Sequence, residues 1–402
     1  MNMNRLIIIL TNLLIAAGML QLGGCGGGSG GGSAPPSTSV SGIASKGPLK
    51  NGTVIIYGVD AAGTKSSSPL ATVQTDANGG YSANLGSYSG ALVIEAYGDY
   101  TDEATGNTVV IPANAPLRTA VVLVDTSVNN NRKIAVTPLT SLACGIMGTT
   151  YTTTAITTAN GRVGDMFKVK DIVGTLPVLP DMTGMGKGDA EQKTYTMALV
   201  TLSQMAKDAT GGIGPSYSQI QTIMDSFKAD MNTSSTSGLG SQNMAAFNTA
   251  LMTVSTAMLP GFDMAAAQLR NAGTTSLKLA VDAAGVPNGS QLGAVHGVIT
   301  VPVGVSMRTY ATAQVLDGLI STTPGISAGS PQIIGKFDST TRQLTFDVIS
   351  PAAGFGNGEF AGIIFDVTTG VTVSAADFAI SSTQGKDYTT AATVSGITIS
   401  LR

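Results

Sequence analysis

Tryptophan is missing from this 402-residue chain, histidine occurs once and cysteine twice. Aromatic residues reach only 5%, so the side-chain platforms on which single-stranded bases stack are lacking. Charged residues make up 11%, against about 25% in ordinary soluble domains. The formal charge is −3, with no run of one sign. A nucleic-acid partner calls for a basic stripe, and there is none. A Ser–His–Asp triad must use His296 or do without histidine. One histidine and two cysteines that lie far apart cannot supply the several His or Cys ligands of a zinc site. No Cys-x-x-Cys-His is present, which excludes covalently attached c-type haem.

What the chain does have begins at its start. Asn2 to Arg5 is a short stretch with one basic residue, and Leu6 to Leu20 is apolar apart from Thr11, Asn12 and Gly18. That run is about 15 residues, short of the roughly 20 that a spanning helix needs, and has the build of a secretory signal. Leu22-Gly23-Gly24-Cys25 closes it. A leucine, two small residues and a cysteine resemble the lipobox of bacterial lipoproteins. The resemblance implies cleavage before Cys25 and acylation of its thiol, making the membrane a partner through that lipid. Each buried CH₂ adds about 0.8 kcal/mol to such an attachment. Gly26 follows where an Asp would resemble an inner-membrane retention signal, so the outer membrane is the expected location, on its periplasmic or its cell-surface face. Gly26 to Gly32 then reads as a flexible tether. Loss of Arg5 with the signal leaves 20 basic against 24 acidic residues. With Cys25 acylated, Cys144 lacks a partner, and no intramolecular disulfide is expected.

The remainder suggests a multidomain α and β chain: an N-terminal β-sandwich, a central helical bundle and a C-terminal β-sandwich or jelly roll. The expected boundaries are 1–24 signal, 25–36 tether, 37–130 first sandwich, 131–288 helical region and 289–402 second sandwich. In the first sandwich, Val40-Ser41-Gly42-Ile43, Thr53 to Tyr57, Leu70 to Thr75, Tyr81 to Leu85, Ala91 to Ala96 and Thr119 to Val124 are strand-like. Asp76-Ala77-Asn78-Gly79-Gly80 is a strong turn signal. The pieces Gly47-Pro48-Leu49-Lys50-Asn51-Gly52 and Thr75 to Tyr81 resemble carboxypeptidase-regulatory-like (transthyretin-like) domains. That family implies a seven-stranded accessory sandwich with folding and spacing roles.

In the middle, Thr137-Pro138 looks like a helix start. Tyr195, Ala198, Leu199, Leu202, Met205 and Ala206 follow a helical period after Asp189, a candidate cap, with Gln192 three residues on. Ile220, Ile223, Met224, Phe227 and Met231 give another stripe, and Met244, Phe247, Leu251, Val254 and Met258 a third. Four or five helices are expected. The methionines read as core filling rather than as a metal-binding groove. Near the end, Val295 to Val303, Val305 to Thr309, Gln332 to Phe337, Gln343 to Val348, Glu359 to Val367, Val371 to Ser374, Asp377 to Ser381 and Ile397 to Leu401 are strand-like. Gln343 to Val348 and Gly354 to Val367 resemble the late strands of cohesin-like domains. The match is weaker in its first half, so no dockerin-binding face is carried over.

Chemistry is sparse. Asp99, Asp102 and Glu103 bring together oxygens of the kind calcium takes, or a carboxylate pair for hydrolysis, although the 12-residue EF-hand pattern is absent. Asp76 and Asn78 read as turn residues, Glu359 and Asp366 as solvent-facing or edge charges, His296 as a strand residue and Cys144 as a small buried hydrophobe. Gly184 to Gly188 holds a lysine but not the spacing of a phosphate loop. No catalytic residue and no cofactor is implied. The leading expectation is a non-enzymatic, lipid-anchored envelope or surface protein for adhesion, architecture or partner binding. Its binding faces would be loops at the sandwich ends or the groove between helices and strands. A carbohydrate-binding module is the alternative, with Tyr97, Tyr100, Tyr310 and Tyr388 as candidate contacts. A carboxylate-dependent hydrolase comes third.

Overall fold

The computed structural model describes residues 38–123, 130–180, 187–212, 216–232, 238–257 and 263–402. The signal, the lipobox cysteine Cys25, the tether and most of the Gly184–Gly188 stretch lie outside the described residues. The chain is a multidomain α and β protein, with a β-sandwich at either end of a helical region.

The first sandwich is built from β1 (Thr38–Ala44), β2 (Leu49–Val59), β3 (Lys65–Gln74), β4 (Gly80–Asn84), β5 (Gly90–Thr101), β6 (Thr108–Ile111), β7 (Leu117–Leu123) and β8 (Asn130–Val136). Side chains alternate between faces along a strand, and β1 shows it: Thr38, Val40, Gly42 and Ala44 are buried while their neighbours are half-buried. One sheet has the order β4-β1-β8. The other runs β3-β2-β5-β6, with β7 pairing the first half of β5 and β6 its last residues. The turn between β3 and β4 forms because Asp76 Oδ1 accepts from the backbone N–H of Asn78 and of Gly80, both at 2.8 Å. Strand β8 runs parallel to β1, with Gly42 opposite Ile134. A Cβ on Gly42 would sit 1.7 Å from the Ile134 carbonyl oxygen, so this pairing admits only glycine there.

Helix α1 (Pro138–Met147) follows β8 directly, capped by Thr137 with proline in the first turn. Then come α2 (Thr153–Met166), α3 (Ala190–Ala209), α4 (Tyr217–Asn232), α5 (Ser241–Ala257) and α6 (Asp263–Leu269). The expected box at the head of α3 is present: Asp189 accepts from Gln192 N, and Gln192 returns a bond to Asp189 N. Every residue from Thr194 to Ser203 is buried, so α3 is the central helix and is apolar or threonine-lined all round. Phe167, just after α2, packs on Phe227 of α4 and Phe247 of α5, with ring centroids 5.9 and 5.6 Å apart.

The second sandwich uses β9 (Thr275–Ala284), β10 (Leu292–Thr300), β11 (Val305–Ser306), β12 (Ile320–Thr322), β13 (Gln332–Asp338), β14 (Gln343–Ile349), β15 (Gly358–Val367), β16 (Ala379–Asp387), β17 (Thr393–Val394) and β18 (Thr398–Leu401). Helix α7 (Pro324–Ser327) and a 3₁₀ turn (Ala375–Asp377) sit in its loops. One sheet is β13-β14-β10-β16-β17; the other is β11-β15-β9-β18, with β12 also on β15. Between them lies a separate core that includes Phe346, Phe360 and Phe365. Gly297 on β10 faces that core, where a Cβ would press within 2.5 Å of the Phe346 ring.

Four features depart from the expected layout. β8 spans the boundary placed at 130 and completes the first sandwich. β9 begins well before the boundary placed at 289 and pairs with β15 and β18. The first sandwich and the helices share one continuous hydrophobic core, so they pack as a single body. Val371 to Ser374, expected as a strand, forms none; Val371 and Val373 instead cover the second core from a loop.

Candidate interaction surface

The two sheets of the second sandwich differ in what covers their outer faces. The outer end of β15 meets the helical region, where Asp366 lies. Asp366 Oδ2 accepts from Arg308 Nε at 3.0 Å and from Asn271 Nδ2 at 2.9 Å. Lys168 Nζ lies 3.0 Å from Asp366 Oδ1 and donates to the Thr274 carbonyl at 2.9 Å. Asp366 was expected at the surface; it is 1% exposed, because helices close over this part of β15. Glu359, at the other end of the strand, is exposed as expected and pairs with Arg402.

Among the described residues, no helix covers the outer face of the β13-β14-β10-β16 sheet. Its residues lie in rungs across the four strands. The central rung is Ile334, Asp347, His296 and Gln384. The next is Lys336, Thr345, Val298 and Ser382, and on the other side stand Gln332, Ile349, Ala294 and Lys386. All twelve are exposed or half-buried, whereas Phe346, Val348 and Val295, which alternate with them, are buried. Ile334 is 51% exposed. His296, the chain's one histidine, is a strand residue as expected; it is half-buried on this face, with Nδ1 2.9 Å from Asp347 Oδ1. Ile334, Ile349 and Val298 give the face its apolar part, the Asp347–His296 pair stands at its centre, and Lys336 and Lys386 lie at its corners.

The other candidates fall apart as sites. Asp99 is exposed on β5 opposite Val110, while Asp102 and Glu103 turn inward to Lys46. An ammonium occupies the place where a calcium ion would sit, and the three carboxylates do not converge. Among the described residues no group of three or more His, Cys, Asp or Glu side chains could hold a metal ion. Burial pushes the Glu103 carboxyl above its usual range, against the opposing effects of Lys46 and Ser203. Tyr100 is buried, Tyr388 is partly exposed, and Tyr97 and Tyr310 lie on different sandwiches; they make no shared platform. Cys144 is fully buried, and its thiol is raised to about 12 by desolvation. A Gly-x-Ser-x-Gly spacing occurs at Gly325 to Gly329. There Ser327 closes α7 and bonds to Thr322, with no histidine among its partners. The groove between β7 and helices α1 and α4, lined by Arg118, Ser141, Tyr217 and Lys228, holds about 130 Å³; open clefts of about 520, 380 and 430 Å³ lie beside β1 and β4, beside α2, and between α3, α4 and α5. Among the described residues no helix is long and apolar enough to cross a membrane.

No protein-family model matches the chain, and no curated protein matches it. Among solved structures it is similar to the type II cohesin dyad of the adaptor scaffoldin ScaA from Acetivibrio cellulolyticus, at 14% identity and a TM-score of 0.25. That likeness covers 32% of this chain and 43% of the dyad, less than half of its length. A type II cohesin domain from the cellulosome of the same organism is similar at 11% identity and a TM-score of 0.24, over 32% of this chain and 85% of its own. Type II cohesin A11 from Bacteroides cellulosolvens is similar at 10% identity and a TM-score of 0.23, over 29% of this chain and 79% of its own. Likeness on that scale speaks to neither site nor activity.

Proposed function

We propose that this is a non-enzymatic surface protein, lipid-anchored through Cys25 to the outer membrane, that binds a protein partner on the open face of its second sandwich. The observation that carries the reading is the exposed Ile334–Asp347–His296–Gln384 rung on a sheet whose other face is fully packed. A patch on which Ile334, Ile349 and Val298 surround a central Asp347–His296 pair mixes apolar and polar contacts in the way a protein surface does. It suits a sugar less well, since no aromatic ring stands on it. The Leu22-Gly23-Gly24-Cys25 sequence supports the anchor, and the glycine-rich stretch after it supports a body held away from the bilayer. The N-terminal sandwich, on the transthyretin-like resemblance, serves as a spacer, and the second sandwich as a cohesin-like module.

The test compares the full-length protein with Ile334→Glu and, as a control on a distant exposed strand, Val110→Glu. Each is incubated with outer-membrane extract and cross-linked. A single protein retained by the wild type and by Val110→Glu but lost from a folded Ile334→Glu supports the proposal. Equal retention by all three refutes this face as the site. Binding to a glycan array instead of a protein would favour the carbohydrate-binding alternative.

A further inference from the structure

A buried polar cluster lies on the other sandwich, where the turn after β1 meets the end of β5. The side chains of Lys46 and Asp102 are wholly buried and that of Glu103 is 6% exposed. Lys46 Nζ lies 2.8 Å from Glu103 Oε2 and 3.9 Å from Asp102 Oδ2. Ser203, from α3, donates to Glu103 Oε2 at 2.5 Å and is also bonded to Lys46. The two oxygens of Asp102 differ sharply. Oδ1 accepts three bonds, from Ala104 N at 3.1 Å, Thr105 N at 3.1 Å and Thr105 Oγ1 at 2.9 Å. Oδ2 is buried with no hydrogen bond, as is the Tyr100 hydroxyl. A buried charge is ordinarily bonded at every oxygen, and an unbonded one is costly.

We propose that this cluster is an autocatalytic amide-forming site, in which Lys46 Nζ becomes bonded to Asp102 Cγ with loss of one water. Glu103 accepts a proton from the Lys46 ammonium, and the freed amine attacks Asp102 Cγ. The charge that develops on Oδ1 meets three donors already aimed at it, as in an oxyanion hole. Glu103 relays the two displaced Nζ protons to Oδ2, the oxygen that nothing holds. The C–Oδ2 bond breaks, and Oδ2 departs as water. Nζ keeps one hydrogen, the product is a neutral amide, and Glu103 ends as it began. No oxidant or cofactor enters. The raised Glu103 carboxyl suits it to hold a proton between the two transfers. Ser203 keeps Glu103 and Lys46 in contact. The driving force is the replacement of a buried ammonium and carboxylate by a neutral group, with water excluded from the reverse reaction. The link would join the end of β1 to the end of β5, one strand from each sheet of the sandwich, and constrain the unfolded chain as a disulfide does.

Mass spectrometry of a tryptic digest of the full-length protein tests this. The expected result is a branched peptide joining Lys46 to Asp102, lighter than its two components by one water, with no cleavage after Lys46. Lys46→Ala and Glu103→Gln should yield the Asp102 peptide linear and unmodified. Linear, full-mass peptides for both residues in the wild type would overturn the proposal, whether or not either variant folds. A link to Glu103 in place of Asp102, or undiminished linkage in Glu103→Gln, would overturn the assigned roles.

Discussion

Lys168 and Asp366 meet at 3.0 Å, one from the turn after α2 and the other from β15, with each side chain only 1% exposed. Arg308 takes the other Asp366 oxygen and bonds Gln268 beyond it at 2.7 Å. One carboxylate thus holds two cations at the junction of the helical region with the second sandwich. Removing it strands both. Asp366→Ala should therefore cost about 3–5 kcal/mol in chemical denaturation. Asp366→Leu combined with Lys168→Met and Arg308→Met should recover most of that loss, since a packed apolar set needs no charge partner. If the single change is neutral, the cluster contributes nothing to stability.

Gly42→Val should destabilise the first sandwich by about 1–3 kcal/mol, the usual cost of forcing atoms into filled space. The added Cβ would run into the Ile134 carbonyl. A melting temperature equal to wild type would mean that β1 and β8 separate readily.

Thr137 caps α1 and also bonds the Tyr195 hydroxyl at 2.6 Å. Thr137→Ala should cost about 1–2 kcal/mol, the upper part of the range for a lost cap. Thr137→Ser, which keeps both bonds, should lie close to wild type in the same thermal scan.

The folded protein should show no titratable thiol at neutral pH. Cys144 is buried, with its thiol raised to about 12, and Cys25 is proposed to be acylated. Unfolding should expose one thiol in the mature protein. Two thiols on unfolding, or one that reacts in the native state, would count against acylation of Cys25.

Glu103 adds a pH term of known sign. Burial raises its folded value above the ordinary 4.5, so the folded state holds this proton more tightly than the unfolded chain. Its contribution is fully present below the ordinary value and is lost as pH climbs through the raised one. The difference in stability between wild type and Glu103→Gln should shift against the wild type across that window. A difference that does not change with pH would show that Glu103 titrates alike in both states.

Local signals in the sequence were legible and long-range pairings were not. Asp76 with Gly80, Thr137 with Pro138 and Asp189 with Gln192 place a turn and two helix starts, because each acts on backbone groups a few residues away. His296 reads as a strand residue because the run around it is β-branched and apolar; which face it takes emerges only with the sheet. Helix α2 went unread because Thr-Thr-Ala-Ile-Thr-Thr has weak helix propensity; it forms because Ile156, Ala159 and Val163 find a core to cover. Asp366 sits in a strand pattern that gives no hint of Lys168 and Arg308, which the fold brings from distant parts of the chain. Nothing in the sequence marks Lys46; its role emerges only when Glu103 and Ser203 are placed around it. The open sheet face was equally hidden, since nothing in β13 or β16 says which sheet the helices will cover.

The parallel pairing of β1 with β8 has a mechanical consequence. Tension reaching the body from its amino-terminal side enters at Thr38, the first residue of β1. That strand is clasped on one edge by β4 and on the other by β8, with seven matched positions along β8. A pull along the strand axis loads those bonds in shear, so they must give way together rather than one after another. A force applied at Thr38 would therefore meet the pairings of β1 with β4 and β8 before any other part of the fold.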